Sequence, residues 1–290
     1  MIIDIHTHPF CKEAHLTPSV DEAAERMRGK LKDREKLKGS KALLDMLFNQ
    51  NSIENMITDM DNAGIDKAVI VAMDLSTHYG VEMVTNEDVG KFASTYPDRF
   101  IPFASVDPTN GQQAIDQLTY AVNELGCKGL KLVPPVQHFD FSDPKHYPLW
   151  EAALNLDIIV WTHASHQMSH PDSDARMGYP MLLEPVAHQF PELKLVLGHC
   201  GFPWHWEAWS LVVRHPNVYL DISAYPHLYN HFPWDAYTKS DAEGKLLFAT
   251  DYPLYSFQEM LDALEKVDIS PEFKKKILHE NAEKLLGLSK

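Results

Sequence analysis

Eight short runs of apolar, largely β-branched residues recur along the chain and decide its fold class. They cover residues 2–5, 67–73, 100–106, 129–133, 157–161, 193–197, 218–222 and 246–249. Most are continuously apolar, as parallel strands buried on both faces must be. Helical spacing fills the intervals. Ile53, Met56, Ile57, Met60 and Ala63 share one stripe of a predicted helix over 52–63, stopped by Gly64. Ile115, Leu118, Ala121, Val122 and Leu125 do the same over 112–125, before Gly126. Residues 148–156, 180–190, 203–213 and 257–267 also read as helices, several with proline in the opening turn.

Strands alternating with helices predict a parallel α/β architecture. From the second strand onward they recur every 25–40 residues or so, about one βα unit each. The count matches a distorted (β/α)8 TIM barrel, a fold of about 250 residues before insertions. A doubly wound open sheet would want a glycine-rich phosphate loop after its first strand, and Ile5-His6-Thr7-His8-Pro9 is not one. No linker divides the chain, so residues 1–290 read as one domain.

An insertion is expected after strand one. Within it, Arg26 to Lys41 carries eight cations against two anions, in a chain of net charge −15. In a barrel this segment emerges on the catalytic face. It reads either as a solvated helical excursion with alternating charges or as a cationic lid for a carboxylate-bearing substrate. The acidic balance argues against nucleic acid as a partner. No run approaches the ~18 apolar residues of a membrane span. Cys11, Cys127 and Cys200 lack CxxC spacing, and the first residues read as a strand rather than a signal peptide, so the expected setting is the reducing cytoplasm.

The strand ends carry the chemistry. Strand one ends in His6-Thr7-His8, strand five in Thr162-His163, strand six in Gly198-His199-Cys200-Gly201 and strand eight in Thr250-Asp251-Tyr252-Pro253. Residues i and i+2 of a strand point to one side, so His6 and His8 can grip one ion. His163 and Asp251 would arrive from strands five and eight. Neutral imidazoles with a carboxylate suit one divalent zinc ion, with manganese or iron as alternatives. Three histidines and an aspartate leave a position open for water, the mark of a catalytic site.

These motifs, with Tyr96-Pro97-Asp98-Arg99-Phe100, Gly129-Leu130-Lys131-Leu132 and Ile277-Leu278-His279-Glu280-Asn281-Ala282, give the chain a family resemblance along nearly its whole length. It resembles the amidohydrolase superfamily, in the amidohydrolase-related branch that includes aminocarboxymuconate-semialdehyde decarboxylase. The resemblance implies a distorted barrel with one divalent metal on His6, His8, His163 and Asp251. His199 would stand beside it, holding or deprotonating the metal-bound water. Some branch members have Glu-x-His at the first motif, where this chain has His-x-His. In binuclear members of the superfamily a strand-four lysine bridges two ions; in this branch Lys131 is read as barrel lining or as a substrate-anion contact. Homodimers are usual among such relatives.

The first functional expectation is a metal-dependent hydrolase acting on a small anionic substrate, with His199 or Asp251 accepting the proton of the attacking water. The alternative is a non-oxidative decarboxylase using the same mononuclear site. A non-enzymatic metal-binding scaffold and a nuclease are the remaining readings. The complete ligand set opposes the scaffold, and the acidic charge opposes the nuclease. Lys131, His166 and Trp204 are the expected substrate contacts, Trp204 as an aromatic wall. Asp221 is read as an interior residue, hydrogen-bonded rather than ligating.

Overall fold

The computed structural model describes the chain except for residues 29–33, 168–169, 171 and 289–290. Eight parallel strands form one sheet in chain order. They are β1 (Ile3–Thr7), β2 (Lys67–Val71), β3 (Phe100–Ala104), β4 (Gly129–Leu132), β5 (Ile159–His163), β6 (Leu195–Gly198), β7 (Val218–Asp221) and β8 (Leu246–Leu247). The sheet curls until β1 meets the chain that leaves β8. Ile5 N donates to Phe248 O at 3.1 Å, Asp251 N to His6 O at 3.0 Å and His8 N to Tyr252 O at 2.7 Å. The result is a nearly closed barrel with helices packed around it, as the strand count predicts.

Side chains sort by the two-residue period of the strands. Val69 and Val71 point into an interior cluster with Phe103, Ile159, Trp161, Val196 and Leu247. Ala68 and Ile70 point outward to the larger core beneath the helices. β1 breaks this alternation. Asp4 pairs with Ala68 but Thr7 with Ile70, so three steps on β1 match two on β2. That extra residue is a β-bulge, which re-aims the chain. Ile5 and His6, adjacent in sequence, therefore both contribute to the interior: Ile5 to the cluster, His6 to a ring stack on Trp161.

Most expected helices form where their apolar stripes lie. Ile53–Ala63 starts at Ser52, whose side chain accepts from Asn55 N, and ends at Gly64 in the left-handed region (φ 73°). The segment 180–190 differs. It is a 3-10 turn (Pro180–Leu183) followed by a short α-helix (Glu184–Gln189), because Pro185 offers no N–H and its ring obstructs the preceding turn. Run 67–73 also divides: β2 ends at Val71, and Met73–Leu75 joins a small antiparallel sheet with Val81–Met83 and Leu16–Thr17.

Between β1 and Ile53–Ala63 lie helices Val20–Arg28 and Arg34–Asp45. Their described cations mostly face acids rather than the barrel mouth. Arg26 bonds Glu22 and the Gly80 carbonyl, Lys38 meets Glu35 at 2.8 Å, and Lys41 meets Glu25 at 3.2 Å and Asp21 at 3.6 Å. That part of the segment is the solvated, charge-paired excursion. Residues 29–33 of the expected lid lie outside the described residues. No described helix is long and apolar enough to cross a membrane.

Asp4 fastens the bulge to the far edge of the barrel. It is fully buried, and its oxygens accept from His6 N (3.0 Å), Thr250 N (3.2 Å) and Thr250 Oγ1 (2.6 Å). Burial pushes its carboxyl up to about 8, so it holds a proton at neutral pH and can donate to Thr250 in turn. An amide reproduces that pattern and a methyl group does not. Asp4→Ala should cost about 3 kcal/mol in urea unfolding, since it strands buried donors, and Asp4→Asn under about 1 kcal/mol. Equal losses in both variants would show the hydrogen bonds to be irrelevant.

Candidate active site

The C-terminal mouth of the barrel gathers the expected residues. His6 lies on β1 and His8 one residue beyond it, Lys131 on β4, His163 at the end of β5, and His199 and Asp251 just past β6 and β8. All six are buried and all line one cavity. Asp251 Oδ1 stands 3.2 Å from His8 Nε2 and 3.6 Å from His6 Nδ1. His6, His199 and Asp251 each offer a ligand atom within 4.8 Å of the others. His163 lies edge-on to His199, ring centroids 4.5 Å apart, with its Nε2 3.0 Å from Ser165 Oγ. Lys131 Nζ sits 5.4 Å above the Trp161 ring.

A second layer holds these groups still. Asp221 at the end of β7 accepts from His199 N (2.9 Å), Ser223 N (2.9 Å), Ser223 Oγ (2.6 Å) and the Trp161 indole. Ser223 Oγ in turn meets His199 Nδ1 at 2.8 Å, which leaves Nε2 for the site. Trp161 supports His6 by stacking at 3.9 Å, and it fits because residue 198 is glycine: a Cβ there would run into the indole. Backbone strain concentrates here too. His199, Cys200, Ala224, Tyr225 and Asp251 all have φ between 49° and 67°, a region non-glycine residues avoid unless their surroundings hold them.

Two expected contacts lie elsewhere. His166 and Trp204 are not on the cavity wall. The His166 N–H is tied to Phe202 O at 2.7 Å, which pins the two loops together, and the Trp204 ring packs edge-on against Tyr179 at 5.4 Å. Gln167 and His170 line the cavity from the loop after β5, Tyr225 from the one after β7 and Tyr255 from the one after β8. Asp4, Trp161 and Ser165 escaped the sequence reading as site residues. Asp4 left a signal, a carboxylate inside an apolar strand; Ser165 left only its place two residues after His163.

A family model described as amidohydrolase matches residues 3–288. The chain belongs to the amidohydrolase family. The gamma-resorcylate decarboxylase of Polaromonas sp. (strain JS666) is 23% identical over 290 residues, spanning 84% of this chain and 86% of that protein. An uncharacterized TIM-barrel protein from Bordetella bronchiseptica superimposes with a TM-score of 0.74 at 26% identity, covering 99% of this chain and 98% of that one. A dihydroxybenzoic acid decarboxylase from Polaromonas sp. JS666, solved with manganese and the inhibitor 2-nitroresorcinol, gives 0.72 at 20% identity over 100% and 97% of the two chains, a likeness of fold.

This amidohydrolase's own residues fit a divalent cation. Both ring nitrogens of His6 and Nδ1 of His8 are buried with no hydrogen-bond partner among the described residues. Orphaned donors and acceptors of that kind are costly unless something completes them. Burial, reinforced by the Lys131 ammonium and by the rings on one another, holds His6, His8, His163 and His199 well below the ordinary imidazole range, His163 at about 3. They are neutral at pH 7 and keep a lone pair for a metal. The sign of the pH dependence follows. Above about pH 6.5 an unfolded histidine is neutral as well, so burying these rings costs no proton exchange. Below it the unfolded chain takes up protons that the folded chain cannot, and stability falls by about 1.4 kcal/mol per pH unit for each such ring. Chelated, metal-free protein should therefore lose Tm steeply as pH drops from about 6.5 toward His163's value of about 3. A flat Tm across that window would mean that the rings are solvated.

Proposed function

We propose that this amidohydrolase is a metal-dependent, non-oxidative carboxy-lyase acting on a hydroxylated aromatic carboxylic acid. Hydrolysis stood first on sequence grounds and decarboxylation second; the relatives favour the reverse order. The observation that carries the reading is the match to a gamma-resorcylate decarboxylase over 84% of this chain. His6, His8, His163 and Asp251 would hold one divalent ion, with His199 close enough to join them. Manganese takes precedence over zinc, since a structural neighbour binds manganese.

When bound, the ion would supply positive charge to the substrate carboxylate and an adjacent hydroxyl oxygen. The chain's residues supply the rest. Lys131, drawn down to about 8 by burial, remains largely protonated at pH 7 and attracts the anion. Asp251 is the proton donor: its buried carboxyl stands in the cavity 3.2 Å from His8 and 3.6 Å from His6, within reach of a substrate held there, and in the metal-free site burial, opposed by Lys131, favours its protonated form. Its proton passes to the ring carbon bearing the carboxylate. The carbon–carbon bond then breaks, its electron pair returns to the ring, and CO2 leaves. A proton from water restores Asp251. Asp221 and Ser223 keep His199 oriented throughout.

Manganese-loaded protein incubated with 2,6-dihydroxybenzoate in D2O should release CO2 and yield resorcinol with one deuterium at the carbon that carried the carboxyl. Asp251→Asn should lower kcat by about 10²–10⁴-fold. Hydrolysis of an ester or lactone panel, with no CO2 from any hydroxybenzoate, would overturn the reading in favour of a hydrolase.

A further inference from the structure

The cavity into which the histidines open encloses about 430 Å³. That lies within the range of about 300–1,000 Å³ that buries drug-sized ligands, and it exceeds what one substituted ring fills. Away from the histidines one stretch of its wall is aliphatic. Met27, Leu43 and Leu47 come from the helical segments that follow β1, Met73 and Met83 from the small antiparallel sheet, and Leu254 from the loop after Asp251. Unbranched, flexible methionines adapt to the shape of an apolar guest, and the leucines beside them offer it apolar surface without polar partners. Polar groups interrupt this wall at Arg28, Ser40, Gln167 and His170 among the described residues, and the Arg28 guanidinium is drawn to Ser40 Oγ at 2.8 Å, which in turn bonds Lys36 O at 2.9 Å.

We infer that the substrate carries an extended apolar substituent, such as an alkyl chain, on the side of the ring away from its carboxylate, and that this chain lies along Met27, Leu43, Leu47, Met73 and Met83. The inference rests on the carboxy-lyase reading, since that reading puts the carboxylate at the histidines. Apolar chain buried there leaves water at every methylene, so affinity rises with chain length.

Titration calorimetry of the manganese-loaded protein with 2,6-dihydroxybenzoate and its 4-propyl and 4-pentyl derivatives tests this. Kd should fall about threefold per methylene, and about a hundredfold or more from the parent acid to the pentyl acid. A flat or rising series overturns the inference. So does tighter binding of a pentyl chain ending in a carboxylate than of the plain chain, which would make the far wall an anion site built on Arg28. Leu43→Trp and Leu44→Trp, both at half-buried positions, fill the cavity. In whichever of them melts cooperatively, the ratio of parent to pentyl Kd should shrink toward one, and an unchanged ratio overturns the placement of the chain. CO2 measured in the same solutions separates the two claims. Chain-dependent affinity with no CO2 from any acid sinks the carboxy-lyase reading and leaves the pocket assigned. CO2 released equally from all three acids, with no chain dependence in Kd, does the reverse.

Discussion

The barrel is closed by the same bonds that assemble its site. The bulge in β1 turns His6 inward, and Asp4, the residue where the register begins to slip, reaches across the seam to Thr250. The His6 carbonyl accepts from Asp251 N, and His8 N donates to Tyr252 O. The first and last segments of the chain thus meet through the residues that flank two prospective ligands. Histidine and aspartate cannot be brought together from opposite ends of the sequence without closing the barrel, and the barrel cannot close in this register without bringing them together. A site built on strand ends in this way is rigid in the sense that matters for a metal, because its ligands are fixed by backbone pairing and not by loop conformation alone.

Desolvation then sets the chemistry. Removing water from His6, His8, His163 and His199 costs nothing in charge if they stay neutral, and burial keeps them so. The same burial works in the opposite direction on Asp251 and Asp221, whose carboxyls rise to about 7 and about 6. Lys131 is a cation placed among them, and burial draws it down to about 8. Neutral bases, a reluctant carboxylate and a softened ammonium together leave the mouth of the barrel short of positive charge for an anion. A divalent ion on the orphaned imidazole nitrogens would supply what the side chains lack.

The order of the strands and the rim at which their polar end residues gather were legible in the sequence, because continuous apolar runs and glycine-stopped helical stripes report burial directly. The histidines and Asp251 were legible for a related reason: a polar residue immediately past an apolar strand has few places to go. What escaped notice depended on more than periodicity. The bulge at Asp4–Thr7 is a register event between two strands, invisible in either alone. The Trp161 stack on His6 depends on Gly198 of the neighbouring strand. His166 and Trp204 sat next to site residues in sequence, but neither is on the cavity wall: the His166 N–H bonds Phe202 O and the Trp204 ring packs on Tyr179. Adjacency in the chain is a poor guide once the backbone leaves a strand.

The segment after β1 shows how one stretch can carry two messages. Its charges are the conspicuous feature of the sequence, and on the described residues most of them are spent on ion pairs across the outer faces of two helices, Arg28 on the cavity wall being different. Its sparser leucines and methionines, Met27, Leu43, Leu44 and Leu47, face the cavity instead. An amphipathic helix has to place its charges in water, so the charged residues report where solvent is, and the apolar ones report what the helix covers. Here they cover a cavity and not only a core. The aliphatic stretch of wall and the histidine rim therefore come from separate parts of the chain. On the proposed reading the strand ends would fix the reacting group, while the helices and the small sheet above them would set which substituent can accompany it, so that a substrate's tail could change without disturbing the residues beneath.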